Sequence, residues 1–238
     1  MWMIALAASA QTRSWKRGVA YAMTQDADFE ALAPKVSWWY NWHHTASTAA
    51  MYKNMEFVPM CWNFNCDKST IEASIAKHSS NYLLVLNEPN LLDQANMDPV
   101  TAATNWPQYE AIAASTGVKL VGPAMTYGTT SGYHSPITWL DEFFAACNSK
   151  YGRDCQVDML AVHWYDYGLD GLLNSLMKYK RKFWVTEMAN WHKAADFTID
   201  SAAKQKARHA AMPPGSTPDV FARLHFSLHC HPLSLRAA

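Results

Sequence analysis

The 238-residue sequence has no excess of charge of either sign: Lys plus Arg number 20, and so do Asp plus Glu. A chain with no net field is not steered onto a polyanion, which argues against nucleic acid and for a neutral partner. No apolar run reaches the ~18 residues that a membrane-spanning helix needs, so no membrane span is expected. No Cys-x-x-Cys pair occurs, which makes a structural zinc site unexpected. The nicotinamide fingerprint and the phosphate-binding loop are absent too, so no cofactor is expected. There is no Asn-x-Ser/Thr acceptor for glycosylation, and no linker, internal repeat or low-complexity tract before residue 200. Charged residues are scarce at 17% while half the chain is hydrophobic, which excludes a disordered or highly charged protein.

What the chain does have is aromatics: 11 Trp and 11 Tyr. Large-core packing claims about half of them; the others suit stacking on the C–H faces of sugar rings. The length fits one substantial core, and a (β/α) barrel of ~250 residues is the natural candidate. Of the five cysteines, Cys147 and Cys155 flank a polar loop and are candidates for a short disulfide, in keeping with an extracellular location. The odd count leaves at least one thiol over. Residues 1–15 include Ala8 and Ala10 in the Ala-x-Ala arrangement of a signal-peptidase site, and are expected to be a signal-peptide remnant or a misplaced start.

One stretch organises the rest. Tyr82 to Leu86 is continuously apolar and ends in Asn87-Glu88-Pro89. A strand apolar on both faces suits a parallel sheet covered by helices. Pro89 cannot continue a ladder and is expected to hold Glu88 extended at the strand's carboxyl end, where α/β barrels keep their chemistry. A lone Glu there reads as the first solvated residue after a buried strand. Apolar periodicity alternates between strand and helix around it. Strands are expected at 18–23, 36–42, 55–62, 82–86, 119–127, 157–166 and 181–189. Helices are expected at 26–33, at 69–78 behind a Ser69–Glu72 capping box, at 98–117 with a kink at Pro107, from Ser135-Pro136 to about Cys147, and at 168–179.

The seventh strand, Phe183 to Ala189, carries a second carboxylate, Glu187, near its end. Glu88 and Glu187 then face each other across the barrel mouth, and two such carboxylates are what glycosidic bond hydrolysis needs: one to protonate the departing oxygen, one to attack or activate water. Asn87 and aromatic walls are expected to keep one of them protonated near neutral pH.

Asn87-Glu88-Pro89 and Thr186-Glu187 resemble the catalytic signature of the clan A retaining glycosidases. The wording Leu86-Asn87-Glu88-Pro89-Asn90, Val162-His163-Trp164-Tyr165 and Trp184-Val185-Thr186-Glu187-Met188-Ala189 is similar to glycoside hydrolase family 128, whose fungal members include alkali-sensitive-linkage cell-wall proteins. The likeness runs from about Lys16 to Lys206. It implies a (β/α)8 TIM barrel acting as a retaining endo-β-1,3-glucanase, with Glu88 as acid/base, Glu187 as nucleophile and Asn87 on the sugar 2-hydroxyl. His163 and Tyr165 would orient the nucleophile or line the cleft. Asn41, Trp42, Trp62, Asn63 and Trp191 are expected glucan contacts, from strand-end position and aromatic character. The implied partner is β-1,3-glucan, with no metal, and the implied protein is a monomer, secreted or in the cell wall.

Beyond Lys206 the likeness fails. Pro213-Pro214-Gly215 breaks the helix early, and Val220 to Leu228 is the sole candidate for an eighth strand, with Arg223 and His225 ill-suited to a covered sheet. Residues 16–207 are expected to form the barrel and 208–238 an aberrant tail. That tail keeps a non-catalytic or truncated glucan-binding relative open as an alternative, and another clan A activity, mannanase or xylanase, is a further one.

Overall fold

The computed structural model describes residues 17–22, 26–46, 54–126, 134–165 and 174–188, with the backbone of 191–193, 198–199 and 220–221. In chain order, β1 (Gly18–Ala20), α1 (Asp26–Leu32), β2 (Trp38–Tyr40), β3 (Glu56–Phe57) and β4 (Met60–Cys61) come first. Next come α2 (Lys68–His78), β5 (Tyr82–Val85), α3 (Pro99–Asn105), α4 (Pro107–Thr116), β6 (Lys119–Thr126) and α5 (Pro136–Tyr151). The chain continues with β7 (Met159–Trp164), a 3-10 turn at Met177–Tyr179, β8 (Lys182–Met188), β9 (Trp191–Lys193), β10 (Thr198–Ile199) and β11 (Val220–Phe221). Apart from the antiparallel β9–β10 pair, the strands form two parallel sheets, ordered β1-β2-β3 and β11-β8-β7-β6-β5-β4. The fold is therefore α/β with parallel sheets. Among the described residues no ladder joins β1 to β11, so the closed cylinder expected from the sequence is not seen there.

The expected third strand, 55–62, is split in two by Pro59. Before it, the Val58 amide donates to the Trp39 carbonyl (2.9 Å), continuing the pairing with β2. After it, the Leu84 amide donates to the Pro59 carbonyl (3.0 Å), and pairing passes to β5. Proline has no amide to offer a ladder, so the break falls where one sheet hands over to the other.

Both faces of the six-stranded sheet are buried, as the continuous apolar runs require. Leu83, Val85, Leu120, Leu160, Val162, Phe183 and Val185 pack outward into the layer with Trp106, Trp139 and Phe143 from the helical side. Leu84, Val121, Ala161 and Trp184 point the other way, into a second cluster with Ala20, Trp38, Tyr40 and Met60. There Trp38 stacks on Trp184 with ring centroids 4.9 Å apart, bringing a strand of one sheet against a strand of the other. Fully burying a large apolar side chain contributes roughly 1.5–3 kcal/mol, so these two layers carry most of the stability.

The helix starts differ from expectation in detail. Asp67, not Ser69, caps α2: its carboxylate accepts from the Thr70 amide at 2.7 Å and from the Ser69 hydroxyl at 2.8 Å. These donors hold the Asp67 carboxyl down at about 2. Glu72 pairs instead with Lys68 and Ser115 on the surface. The helix expected at 98–117 is two helices meeting at Trp106, since Pro107 opens α4 and can supply no amide to the preceding turn. Ser135 makes no side-chain cap bond although Pro136 opens α5. Cys147 and Cys155 are joined (Cα–Cα 5.5 Å), and so are Cys61 and Cys66 (5.7 Å), a pair the sequence reading did not make. Cys230, most of the 168–179 helix and nearly all of 208–238 lie outside the described residues; Val220–Phe221 pairs with β8.

At Gly122 in β6, a Cβ would run into the carbonyl oxygen of Val85 on β5, a backbone atom held in the sheet. Gly122→Ala is accordingly expected to cost about 3 kcal/mol and, for a chain of this size, to lower the midpoint of thermal unfolding by roughly 10 °C.

Candidate active site

The sheet brings the two strand-end carboxylates together. The chain leaving β5 is trapped between its neighbours: the Asn87 amide donates to the Trp62 carbonyl (2.8 Å), and Glu88 to that of Ala124 (2.8 Å). Asn87 also forms an isolated parallel bridge with Ala124. Under these constraints Glu88 is not extended, as Pro89 led us to expect, but left-handed at φ 46°, and Leu86 is also left-handed at 58°. Such conformations cost non-glycine residues on the order of 1–3 kcal/mol and persist where the surroundings over-determine them. Trp42, at φ 59°, is a third case, and it too reaches the site.

Glu187 lies in β8 opposite His163 of β7, where the register shifts after Val162. Its Oε1 accepts from the Tyr40 hydroxyl (2.9 Å) and from the Trp42 indole N–H (2.6 Å), while Tyr165 donates its hydroxyl to Oε2. His163, fully buried, stands between the acids, with Nδ1 2.7 Å from Glu88 Oε1 and Nε2 3.5 Å from Glu187 Oε1. Glu88 and Glu187 are only 8% and 6% exposed. One ligand-type atom from each of Glu88, His163 and Glu187 lies within 4.8 Å of the others. Three such groups are also a metal-like set, but Glu187 already has protein donors on both oxygens, which fits a carboxylate oriented by hydrogen bonds.

Burial raises the Tyr40 and Tyr165 hydroxyls well above their usual value, and the Glu187 charge adds to it, so both remain neutral donors. For His163, burial pulls the other way, but the Glu187 charge, the hydrogen bond to Glu88 and the Glu88 charge outweigh it and the net shift is upward. A raised folded value means the linked stability is fully present below the unfolded value near 6.5 and is lost as pH rises through the folded value. The stability advantage of the wild-type chain over His163→Gln is therefore expected to shrink as pH is raised above 6.5, read from thermal unfolding across a pH series. A gap constant with pH would contradict it.

The other expected site residues divide. Trp42 and Tyr165 contact Glu187, whereas Trp62 is partly buried against the inner cluster. Asn41 is engaged in its own turn, donating to the Thr45 carbonyl (3.0 Å) and accepting from the His43 amide (3.1 Å). Asn63 accepts from the Asn65 amide at 2.8 Å, likewise a turn role. Trp191 belongs to β9, and its side chain lies outside the described residues. Sequence reasoning missed Tyr40, although it sits two residues before Trp42 on the same strand face. It also missed Gln94, whose Oε1 accepts from Asn87 Nδ2 at 3.0 Å and which no motif marks.

A family described as glycosyl hydrolase catalytic core matches residues 18–214. The crystal structure of a GH128 (subgroup II) endo-β-1,3-glucanase from Pseudomonas viridiflava superposes with a TM-score of 0.84 at 49% identity, covering 93% of this chain and 90% of that one. The chain belongs to glycoside hydrolase family 128. A second family 128 structure, a subgroup I endo-β-1,3-glucanase from Amycolatopsis mediterranei in complex with laminaritriose, gives a TM-score of 0.72 at 30% identity, covering 91% and 90%. Alkali-sensitive linkage protein 1 of Schizosaccharomyces pombe is 30% identical over 186 residues, 75% of this chain. This family 128 chain spans about a third (32%) of that curated relative's length. The catalytic-core match includes both acids and all of β1 to β8. Among the described residues, no helix is long and apolar enough to cross a membrane.

Proposed function

We propose that this chain is an endo-β-1,3-glucanase that cleaves with retention of configuration. The observation that carries the mechanism is the closeness of Glu88 and Glu187: one carboxylate oxygen of each lies within 4.8 Å of the other, which favours the ~5–5.5 Å carboxyl spacing of a retaining pair over the ~6.5–9.5 Å of an inverting pair. The substrate class follows from the family 128 glucanases described above.

In the first step Glu187 attacks the anomeric carbon while Glu88 gives its proton to the glycosidic oxygen, so the C–O bond to the leaving chain breaks as the glycosyl ester forms. In the second, Glu88 takes a proton from water, the water oxygen attacks the same carbon, and Glu187 leaves as carboxylate. Tyr40, Trp42 and Tyr165 aim Glu187 beforehand, so little reorganisation is needed at reaction. Asn87 binds the hydroxyl next to the reacting carbon. Trp42 and Trp62 line the glucan path.

A (β/α)8 cylinder is the architecture that supports this site best. The 56–61 segment links the two sheets, Trp38 meets Trp184 across the interior, and β11 lies beside β8. We also propose secretion or cell-wall residence as a monomer, supported by the paired Cys147 and Cys155 and by the likeness to alkali-sensitive linkage protein 1. The test is laminarin digestion followed by proton NMR. Early β-anomeric product and oligosaccharides of mixed length support retaining endo action; early α-anomer removes the mechanism, and glucan binding without product removes the enzyme.

A further inference from the structure

We infer that Phe64 is a glucan-binding platform outside the catalytic centre: its ring takes the C–H face of a sugar further along the chain than the pair being cleaved, and so selects long β-1,3-glucan over short oligosaccharides. The substrate rests on the glucanase reading, the platform on geometry. Among the described residues the exposed large apolar side chains are Phe64 (46%), Leu92 (62%), Val100 (61%) and Met177 (59%). Val100 lies in α3 and Met177 in the 3-10 turn, whereas Phe64 and Leu92 lie in the segments that follow β4 and β5, on the edge that carries Glu88. Of these two only Phe64 is aromatic, with a face that can stack on a sugar ring. Cys61 of β4 is in register with Val85 of β5, and Phe64 lies as many residues beyond the first as Glu88 lies beyond the second, so both stand on one rim after neighbouring strands.

A single apolar side chain in water needs no explanation by itself. What sets Phe64 apart is how firmly it is kept there. The Cys61–Cys66 bridge closes a short loop that holds Trp62, Asn63, Phe64 and Asn65. Within it the Asn65 amide donates to Asn63 Oδ1 (2.8 Å), and the buried Tyr109 hydroxyl of α4 donates to the Asn63 carbonyl (3.1 Å). The Trp62 carbonyl accepts from the Asn87 amide (2.8 Å), which ties the loop to the segment carrying Glu88. Trp62 packs against the inner cluster, so the loop gives one ring to the interior and the next to solvent. The Asn63 turn thereby serves the ring that follows it. With the chain fixed on both sides, Phe64 is kept from folding back, and little ordering remains to be done when a glucan arrives.

The experiment compares wild-type, Phe64→Ala, Phe64→Trp and Cys66→Ala chains on laminarin, laminarihexaose and an aryl laminaribioside. Phe64→Ala is expected to raise KM for laminarin and laminarihexaose about tenfold with kcat within about twofold, the mark of an interaction made equally in the ground and transition states. The loss in kcat/KM is expected to shrink at least about fivefold on the aryl laminaribioside, whose two sugars occupy the reacting centre. Phe64→Trp keeps a ring and is expected to stay within about threefold of wild type on each substrate. Cys66→Ala is expected to reproduce the Phe64→Ala pattern, and the double variant to lose little more than either, because both changes remove one shared interaction. A Phe64→Ala loss equal at all chain lengths overturns the inference, and so does a Phe64→Trp chain as impaired as Phe64→Ala. The Phe64 variants alter an exposed side chain, so they decide the matter whether or not the Cys66 variant folds.

A readout without turnover completes the test. In sedimentation with insoluble β-1,3-glucan, the wild-type chain is expected in the pellet and Phe64→Ala is expected to be retained at least about fivefold less. Equal retention overturns the platform. A wild-type chain that hydrolyses no laminarin, yet pellets in a Phe64-dependent way, overturns the glucanase reading and leaves the platform standing.

Discussion

Glu187→Gln is expected to lower kcat on laminarin by at least about 10⁴-fold, equivalent to ~5.4 kcal/mol of transition-state stabilisation. An amide cannot form the glycosyl ester, and no neighbouring group can take over: His163 is wedged between the two acids, and Tyr40 and Tyr165 stay protonated. Binding should survive. The Gln carbonyl oxygen can still accept from Tyr40 and Trp42, while the Tyr165 hydroxyl would face the amide nitrogen, a folding cost of about 1–3 kcal/mol. Calorimetry with laminari-oligosaccharides is expected to give a Kd within about threefold of wild type, the amide being nearly isosteric with the acid. Residual turnover near a tenth of wild type would remove Glu187 from the nucleophile's role.

Glu88→Gln should show a different dependence. General acid catalysis contributes about 10²–10⁴-fold, and that contribution matters only when the leaving group needs a proton. Turnover of laminarin is therefore expected to fall about 10³-fold, whereas the first step with a dinitrophenyl laminarioligoside stays near wild type, because that phenolate leaves unaided. Deglycosylation, now without its base, becomes limiting, and added azide should restore turnover and yield the β-configured glycosyl azide. Equal losses on both substrates would show that Glu88 is not the acid, and an α-configured azide would show that the ester was never formed.

These two carboxylates were the most legible part of the sequence. Tyr82 to Leu86 could be only a strand covered on both faces, and Leu83 and Leu84 do bury into opposite layers. What followed from that, a charged residue at a parallel strand's end, is a matter of topology, and topology is written in apolar periodicity. The contacts that orient the pair were less legible because they depend on local geometry. Tyr40 could have been found, since alternation puts it on the face of Trp42. Gln94 could not: it reaches Asn87 only after the chain turns back through Leu91. Glu88 was expected extended because the residue before a proline disfavours compact conformations, yet bonds to β6 on one side and to Trp62 on the other override that preference. The α2 cap was misplaced for a similar reason. Ser69 to Glu72 has the right spelling for a capping box, but Asp67 lies two residues earlier and a charged acceptor wins the helix amide.

Pro59 bears on how this chain can change over time. Most connections in the molecule tolerate gained or lost residues, since surface segments adjust their path. Between Glu56 and Cys61 that freedom disappears, because the same few residues set the pairing of β3 with β2 and of β4 with β5. One residue more or fewer would reverse the inward and outward alternation of one sheet relative to the other and turn Met60 away from the interior. Length variation among descendants of this chain should therefore gather elsewhere, leaving this joint at constant span even where its side chains drift.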